Sequence, residues 1–455
     1  MKKNDYFEGE CVDLTHEGQG IVKVEGMPYF VKGMLVGEIG KLKVIKQLKN
    51  YGIARLIELT VSSSLRCMPR CPIYKQCGGC HLQHLSLEGQ QQFKQKRVQD
   101  VMERIGKINV PVNPTLMPKN PWFYRNKVQV PVGYVKNQLE MGFYKQHSND
   151  IIPMEKCYIQ NEMSNKITKR VKELMQFFNI EPYDKLTGRG LVRHILTKYG
   201  FKTDELMLVL ITNGKKFPYK EKFISILTNE FPNLKTIIQN INERKDNVIL
   251  GEEEIIWQGK GYIQDELNGL LFNISSKSFY QINPPQVEVL YNTAIQLANL
   301  QKDQVVIDAY CGIGTISLSM AKHVKKVIGV EIVKEAIEDA KRNAKLNHID
   351  NVEFLVDDAG HFMKELAKKG ESVDVVMVDP PRKGCSKEFL EALAILRPKQ
   401  IVYISCDPST QARDVHILDE YGYQVDVLQP VDLFSQTYHI ENIARFSLKG
   451  GEAHE

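Results

Sequence analysis

The sequence predicts an α/β protein in three parts: a small β-barrel, a mixed central region and a C-terminal doubly wound parallel sheet. Two observations carry this fold class. Short runs of alternating apolar and polar residues, separated by glycine turns, fill the first 60 residues, and such runs are typical of strands. From about residue 285, strands alternate with helices of ten or more residues, which predicts βαβ units and a Rossmann-like sheet covered on both faces.

Length and composition set the broad class. The 455 residues are 43% hydrophobic and 25% charged, which excludes disordered, collagenous and coiled-coil proteins and suits roughly two to four globular domains. No apolar run approaches the roughly 20 residues that cross a bilayer, and the first residues contain no apolar leader. We therefore expect a cytoplasmic protein without a membrane partner, divided into residues 1–62, 63–272 and 273–455.

The N-terminal part is predicted to be a barrel of the oligonucleotide-binding type, because lysines are spread along its four or five short strands. A β-rich domain that binds nothing would show the same periodicity. The charge distribution favours a nucleic-acid partner: residues 1–150 hold 22 Lys and Arg against 13 Asp and Glu, so they carry +9, whereas the other 305 residues carry −4. Such a bias also occurs on surfaces that bind nothing.

The central part opens with a cysteine-rich segment, residues 63–85, and a polar helix over LEGQQQFKQKRVQDVMERIG. The basic residues of this helix either lie along a phosphate backbone or are simply solvated. They are Lys94, Lys96, Arg97 and Arg104. The chain has nine cysteines, an odd number that argues against a disulfide framework and indicates metal-binding or catalytic thiols.

The C-terminal part places polar residues where its predicted strands end, and ligands of open α/β sheets bind beyond those ends. The first strand runs into DAYCGIGT, whose two glycines allow a tight turn, but Ser317 stands where a dinucleotide fingerprint needs a third glycine. Glu331 ends the second strand and suits ribose hydroxyls. Asp358 follows the third and suits an adenine amino group. This pattern favours S-adenosylmethionine over NAD or ATP, although ordinary βα turns remain the alternative.

The fourth and fifth strands end in DPPRKG and ISCDPST. Two prolines make a rigid exit that fixes Asp379 beside the cofactor. Cys406 lies at the carboxyl edge of the sheet, facing the methyl donor, whereas a cysteine is more often an inert core residue. Cys311 and Cys385 are less well placed to attack and are interpreted as structural.

The motifs DAYCGIG, DPPRKG, ISCDPST and HIENIA, in this order, resemble the RNA uracil-C5-methyltransferase family of the TrmA/RumA type over essentially the whole chain. The resemblance implies a class I S-adenosylmethionine-dependent methyltransferase with an N-terminal TRAM barrel. It makes Cys406 the nucleophile that adds to uracil C6, Glu441 the base that removes the C5 proton, and Asp379 the group that holds the uracil edge. The residues implied around the cofactor are Gln281, Tyr310, Gly312, Thr315, Glu331, Asp358 and Asp379.

The cysteine cluster follows Cx5CxxC spacing, with a fourth cysteine 77 residues further on. This spacing fits neither a zinc ribbon, which repeats CxxC, nor the Cx3CxxC of radical enzymes. By the resemblance, the four residues hold a [4Fe-4S] cluster. They are Cys71, Cys77, Cys80 and Cys157, with Cys67 as a possible substitute ligand.

The resemblance implies an RNA partner and no protein partner. Family members that act on 23S ribosomal RNA generally have both the barrel and the cysteine cluster, so 23S ribosomal RNA is the expected substrate. Two alternatives stand beside it. One is a tRNA uridine methyltransferase with the same chemistry, and the other is a non-catalytic RNA-binding assembly factor, which Cys406 and Glu441 argue against.

Overall fold

The computed structural model describes residues 1–146 and 148–450. Its N-terminal barrel is built from five strands. The strands are β1 (Tyr6–Leu14), β2 (Gly20–Val24), β3 (Met27–Val31), β4 (Ile39–Gln47) and β5 (Gly52–Val61). They close in the order β1-β2-β3-β5-β4 around a small core that includes Cys11, Val22 and Tyr29. The predicted barrel is confirmed.

A long helix follows the cysteine-rich segment. Helix α1 (Leu87–Val101) begins at Ser86, whose hydroxyl accepts the Gly89 N–H, and continues into a π-helical turn, Met102–Gly106. The sequence groups this helix with the central region. In the structure, its apolar residues Val98 and Met102 belong to the core of the C-terminal sheet. This packing places α1 beside elements of the C-terminal region, namely α9 (Pro408–Glu420) and β20 (Tyr423–Val431).

The central region is a seven-stranded sheet flanked by two helices and followed by a hairpin. Its sheet order is β12-β11-β10-β9-β6-β7-β8, and the hairpin pairs β13 with β14. The elements are β6 (Lys127–Val135), β7 (Gln138–Tyr144), β8 (Ile151–Pro153), α2 (Glu162–Phe177), β9 (Val192–Tyr199), β10 (Leu206–Thr212), α3 (Lys220–Glu230), β11 (Leu234–Ile241), β12 (Glu253–Gln258), β13 (Tyr262–Leu267) and β14 (Leu270–Ser275).

The C-terminal region is the predicted doubly wound sheet. Its elements are α4 (Pro284–Ala298), β15 (Val305–Ala309), α5 (Thr315–Ala321), β16 (Lys326–Glu331), α6 (Lys334–Leu346), β17 (Val352–Val356), α7 (Ala359–Lys368), β18 (Val375–Val378), α8 (Lys387–Leu396), β19 (Gln400–Ser405), α9 (Pro408–Glu420), β20 (Tyr423–Val431) and β21 (Glu441–Leu448). The strand order is β17-β16-β15-β18-β19-β21-β20. Strands β15 to β19 are parallel.

Two features of this order position the site. The strand order reverses between β15 and β18, and such a switch point opens a crevice at the carboxyl edge. Strand β21 is antiparallel to its neighbour β19, so its first residue lies at the same edge as the last residue of β19. Among the described helices, none is long and apolar enough to cross a membrane.

Candidate active site and cysteine cavity

Cys406 and Glu441 lie opposite each other at the carboxyl edge. Strand β19 ends at Ser405, which pairs with Asn442 of β21; one step further, Cys406 faces Glu441. Opposed residues of an antiparallel pair have Cβ atoms about 5 Å apart on the same face. The antiparallel insertion of β21 thus brings together two residues that are 35 positions apart in the chain.

The position of Cys406 is fixed by the start of the next helix. Asp407 caps α9 by accepting the Ser409 N–H at 2.9 Å, and Pro408 occupies the first turn, where its missing N–H costs nothing. The Ser405 hydroxyl bonds to the main chain of Asp407 at 3.1 Å. The thiol therefore lies half-buried at the junction between strand and helix, at the carboxyl edge of the sheet.

Burial sets the protonation of these groups. Burial raises the pKa of Cys406 to about 12, and the negative charges of Glu441 and Asp379 add to the rise, while Arg382 opposes it. Burial also raises the pKa of Glu441, which is 3% exposed, well above its ordinary value. The pKa of Asp379 is raised to about 7 for the same reason. The three groups form a tightly coupled cluster of acids.

The turn after Asp379 is locked by helix α9. The Gly384 N–H closes a turn onto the Pro381 carbonyl at 2.8 Å, and Gly384 adopts φ +76°, which favours glycine. The buried Asp414 of α9 accepts the Cys385 N–H and the Tyr403 hydroxyl, each at 2.8 Å. Cys385 is buried within this turn.

The crevice between β15 and β18 carries the predicted cofactor residues. The Glu331 carboxylate is oriented by two main-chain donors, Gly312 N–H at 3.2 Å and Val333 N–H at 3.0 Å. Tyr310 adopts φ +66°, a strained conformation for a non-glycine residue that clusters at functional sites. Its ring lies 5.6 Å from that of Phe389.

The remaining cofactor candidates lie on neighbouring elements. Asp358 caps α7 by accepting the His361 N–H at 3.0 Å, so its carboxylate also has a structural task. The Thr315 hydroxyl lies 3.2 Å from that of Tyr291. Gln281 is half-buried, and its carbonyl accepts from the Asn126 side chain at 2.9 Å. The central region therefore orients the segment that contains Gln281.

One buried acid was missed by the sequence reasoning. Asp308 is fully buried, accepts the Ser317 hydroxyl through one oxygen, and has no described hydrogen-bond partner for the other. Burial raises its pKa to about 7. The signal was present in Ser317, which replaces a fingerprint glycine and supplies that hydroxyl.

The predicted cluster cysteines lie around one cavity of about 280 Å³. Cys71, Cys77, Cys80 and Cys157 all line it. Burial raises the pKa of Cys157 to about 11, and the nearby thiols add to the rise. Cys67 does not line the cavity; its thiol contacts the Gln83 carbonyl at 3.3 Å.

The lining of the cavity restricts the kind of metal group that could bind in it. Within residues 1–146 and 148–450, no three His, Cys, Asp or Glu side chains converge closely enough to hold a single ion. A [4Fe-4S] cluster does not require its ligands to converge on one ion, because its four thiolates bind four separate irons. Gln160, 1% exposed on the cavity wall, has neither its amide nitrogen nor its oxygen hydrogen-bonded within the described chain. Four thiols and an orphaned amide fit a bound polar group.

A doubly wound sheet with an acidic residue at the end of its second strand and a cysteine after its fifth is the arrangement expected of a class I S-adenosylmethionine-dependent methyltransferase. Residues 235–446 match the family model described as tRNA (uracil-5-)-methyltransferase. An uncharacterized RNA methyltransferase of Halalkalibacterium halodurans is 47% identical over 450 residues, covering 99% of this chain and 98% of the relative. One from Clostridium tetani is 46% identical with the same coverage.

The chain belongs to the RNA (uracil-5-)-methyltransferase family of the TrmA/RumA type, and it is an S-adenosylmethionine-dependent enzyme that acts on RNA. A solved structure agrees: the Pyrococcus abyssi tRNA (uracil-54, C5)-methyltransferase in complex with S-adenosyl-L-homocysteine. It superposes with a TM-score of 0.77 at 25% identity, covering 97% of this chain and 100% of that one. The predicted fold class, enzyme class and S-adenosylmethionine are therefore confirmed.

Proposed function

We propose that the protein methylates C5 of a uridine in 23S ribosomal RNA through a covalent Cys406 adduct. The observation that carries the mechanism is the juxtaposition of Cys406 with Glu441 across β19 and β21, beside Asp379. Uracil C5 is a poor nucleophile, and addition of a thiolate to C6 makes it enolate-like. Asp379 would hold the edge of a uracil that has been flipped out of the RNA.

Starting from the Cys406 thiolate, the proposed steps balance in bonds and protons. The Cys406 thiolate adds to C6, and C5 then takes the methyl group of S-adenosylmethionine, leaving S-adenosylhomocysteine. Glu441 removes the C5 proton; the C5–C6 double bond re-forms as the C6–S bond breaks, and the thiolate is restored. Its raised pKa makes Glu441, once ionised, a strong proton acceptor. Gln281, Tyr310, Gly312, Thr315, Glu331 and Asp358 would bind the cofactor.

An adduct-trapping experiment tests this mechanism. A 5-fluorouridine RNA with S-adenosylmethionine is expected to give a stable covalent complex, because fluorine cannot leave as a proton does. The Cys406→Ala variant is expected to give none, and Glu441→Gln is expected to accumulate methylated covalent complex on ordinary uridine RNA. Denaturing gel electrophoresis measures both. An adduct in Cys406→Ala, or unchanged turnover in Glu441→Gln, would refute the assignments.

The choice of 23S ribosomal RNA rests on the combination of a closed N-terminal barrel with the four-cysteine cavity. A tRNA uridine is the second candidate, because the Pyrococcus abyssi tRNA enzyme matches nearly the whole chain. Mapping 5-methyluridine in ribosomal RNA and tRNA from a deletion strain separates the two. Loss of the modification from tRNA alone would overturn the ribosomal assignment.

We also propose that Cys71, Cys77, Cys80 and Cys157 hold a [4Fe-4S] cluster. What supports this is their convergence on one cavity with the orphaned Gln160 amide. Methyl transfer needs no electron, so the cluster would supply a covalent link between the cysteine-rich segment and the central sheet. Anaerobically purified protein is expected to be brown with about four irons per chain, and Cys80→Ser to lose that iron. Stoichiometric zinc in colourless protein would contradict the proposal.

A further inference from the structure

The loop over residues 432–440, here called the catalytic loop, leads directly into Glu441. It is largely buried: Asp432, Ser435, Gln436 and Thr437 are at most 4% exposed. Many of its polar contacts come from the N-terminal half of the chain. A loop of nine residues without helix or strand depends on such contacts for its conformation.

The cysteine-rich segment makes the first contact. The backbone N–H groups of His81 and Leu82, immediately after Cys80, both donate to the Gln436 carbonyl, at 2.9 and 3.0 Å. Gln436 itself adopts φ +69°, a left-handed conformation that surrounding contacts must maintain. The His81 ring lies 4.4 Å from that of Tyr438. One end of the cysteine cavity is thus joined directly to the middle of the catalytic loop.

Gln90 of helix α1 makes the second contact. Its side-chain nitrogen donates to the carbonyls of Leu82 and Leu85 and to the Gln436 side chain, at 3.2, 2.8 and 3.2 Å. Its oxygen accepts the Gln436 N–H at 3.1 Å. A single buried amide therefore connects the cysteine-rich segment, α1 and the catalytic loop.

The third contact is a buried ion pair one turn further along α1. The Lys94 ammonium lies 2.5 Å from the Asp432 carboxylate, and both side chains are fully buried. Lys94 also donates to the Phe434 carbonyl at 3.3 Å, and Asp432 accepts the Ser435 hydroxyl at 2.7 Å. Near the end of the loop, Arg97 donates to the Tyr438 carbonyl at 2.6 Å.

We infer that Gln90 and Lys94, together with the backbone after Cys80, are positioning residues that hold Glu441 against the uracil C5 proton. The inference rests on the proposed function, because it assigns the elimination step to Glu441. A loosened loop displaces the carboxylate without moving Cys406, which follows β19, or the proposed cofactor residues at the ends of β15, β16 and β17. These contacts of Gln90, Lys94 and the backbone after Cys80 with the catalytic loop are here called the clamp. Loss of the clamp therefore slows the elimination step and spares the earlier steps.

The chain offers a matched control for testing Gln90. Gln95 is on the same helix, and its side chain also donates to a main-chain carbonyl, that of Val112, at 2.8 Å. Val112 belongs to the segment after α1 and not to the catalytic loop. Gln90→Ala and Gln95→Ala thus each truncate a hydrogen-bonded glutamine of one helix, but only the first loses contacts to the catalytic loop.

Gln90→Ala is expected to accumulate methylated covalent complex on ordinary uridine RNA, with kcat lowered by roughly 10- to 100-fold. S-adenosylmethionine affinity, measured by calorimetry, is expected to stay within about twofold, since Gln90 contacts the loop at Gln436 and contacts none of the residues proposed to bind the cofactor. Hydrogen exchange of the 432–441 amides is expected to quicken. Gln95→Ala is expected to match the wild type in all three measurements.

Hydrogen exchange separates failure of this inference from failure of the proposed function. Unchanged exchange in Gln90→Ala, or equal effects in Gln90→Ala and Gln95→Ala, would overturn the clamp. Should Glu441→Gln itself accumulate no adduct, the base assignment fails, while the exchange result still decides whether Gln90 orders the loop. Quickened exchange after removal of bound metal by a chelator would extend the clamp to the cysteines.

Discussion

At the scale of single residues, the site depends on how burial changes the chemistry of common side chains. Cys406, Glu441 and Asp379 all have raised pKa values because each is withdrawn from water near the others. Arg382 is the positive group that opposes the rise for both Cys406 and Glu441. In the resting site Cys406 is therefore a thiol. A nearby positive charge such as that of Arg382 promotes formation of the thiolate.

We expect Arg382→Gln to slow adduct formation at a given pH. Burial raises the pKa of Cys406 to about 12 even with Arg382 opposing the rise, so removal of Arg382 raises that pKa further and reduces the thiolate fraction. The single-turnover rate on 5-fluorouridine RNA is expected to increase with pH in both proteins, with the Arg382→Gln profile displaced to higher pH. Coincident profiles at saturating RNA would contradict this role.

The roles of individual residues were only partly readable in the sequence. Cys406 and Asp379 were predicted because they end strands, and the rule on carboxyl edges is local. Glu441 was predicted from the HIENIA motif alone, since nothing near it in the sequence indicates burial. Its raised pKa arises from desolvation by burial and from the nearby negative charge of Asp379, which are properties of the folded chain.

At the scale of elements, helix α1 has a different task from the one its charges suggest. Lys94 is fully buried against Asp432, Lys96 lies 2.6 Å from Asp100, and Arg97 donates to a main-chain carbonyl. The expectation that these residues contact phosphate or are simply solvated is wrong for Lys94 and Arg97. Periodicity reports a polar face, but it does not distinguish solvent from a buried partner on another element.

We expect Lys94→Met to destabilise the protein by about 3–5 kcal/mol, because it leaves the buried Asp432 carboxylate without its partner. The double variant Lys94→Met/Asp432→Leu is expected to recover most of this loss, since neither charge then remains buried. Urea unfolding of the two variants measures the difference. Equal stabilities for the single and double variants would contradict the pairing argument.

At the scale of the whole molecule, the net charge of +5 conceals a division between a basic N-terminal third and an acidic remainder. The closed barrel displays part of this positive charge on β4 and the turn after it, where Lys41, Lys46 and Lys49 are exposed. Exposed lysines on a barrel are suited to phosphate contacts, which make affinity dependent on salt.

We expect replacement of Lys41, Lys46 and Lys49 by Gln to weaken RNA binding and to reduce its salt dependence. Each lost phosphate contact is expected to lower the slope of log affinity against log salt by about 0.7 to 0.9. Fluorescence anisotropy over a range of salt concentrations measures both. The control replaces the exposed Lys322, Lys325 and Lys369 of the acidic part, and an equal loss in the control would contradict the assignment.

The barrel, the doubly wound sheet, the strand-end residues and the set of cysteines can all be predicted from the amino-acid sequence. Each follows from local periodicity or from a short motif, because strand and helix patterns repeat within a few residues. Which residues far apart in the chain come into contact follows only from the folded structure. The antiparallel placement of β21 sets Glu441 opposite Cys406, the fold brings Cys157 to the other three cluster cysteines, and α1 buries Lys94 against Asp432. Such contacts depend on packing between separate elements, and a local sequence pattern does not encode that packing.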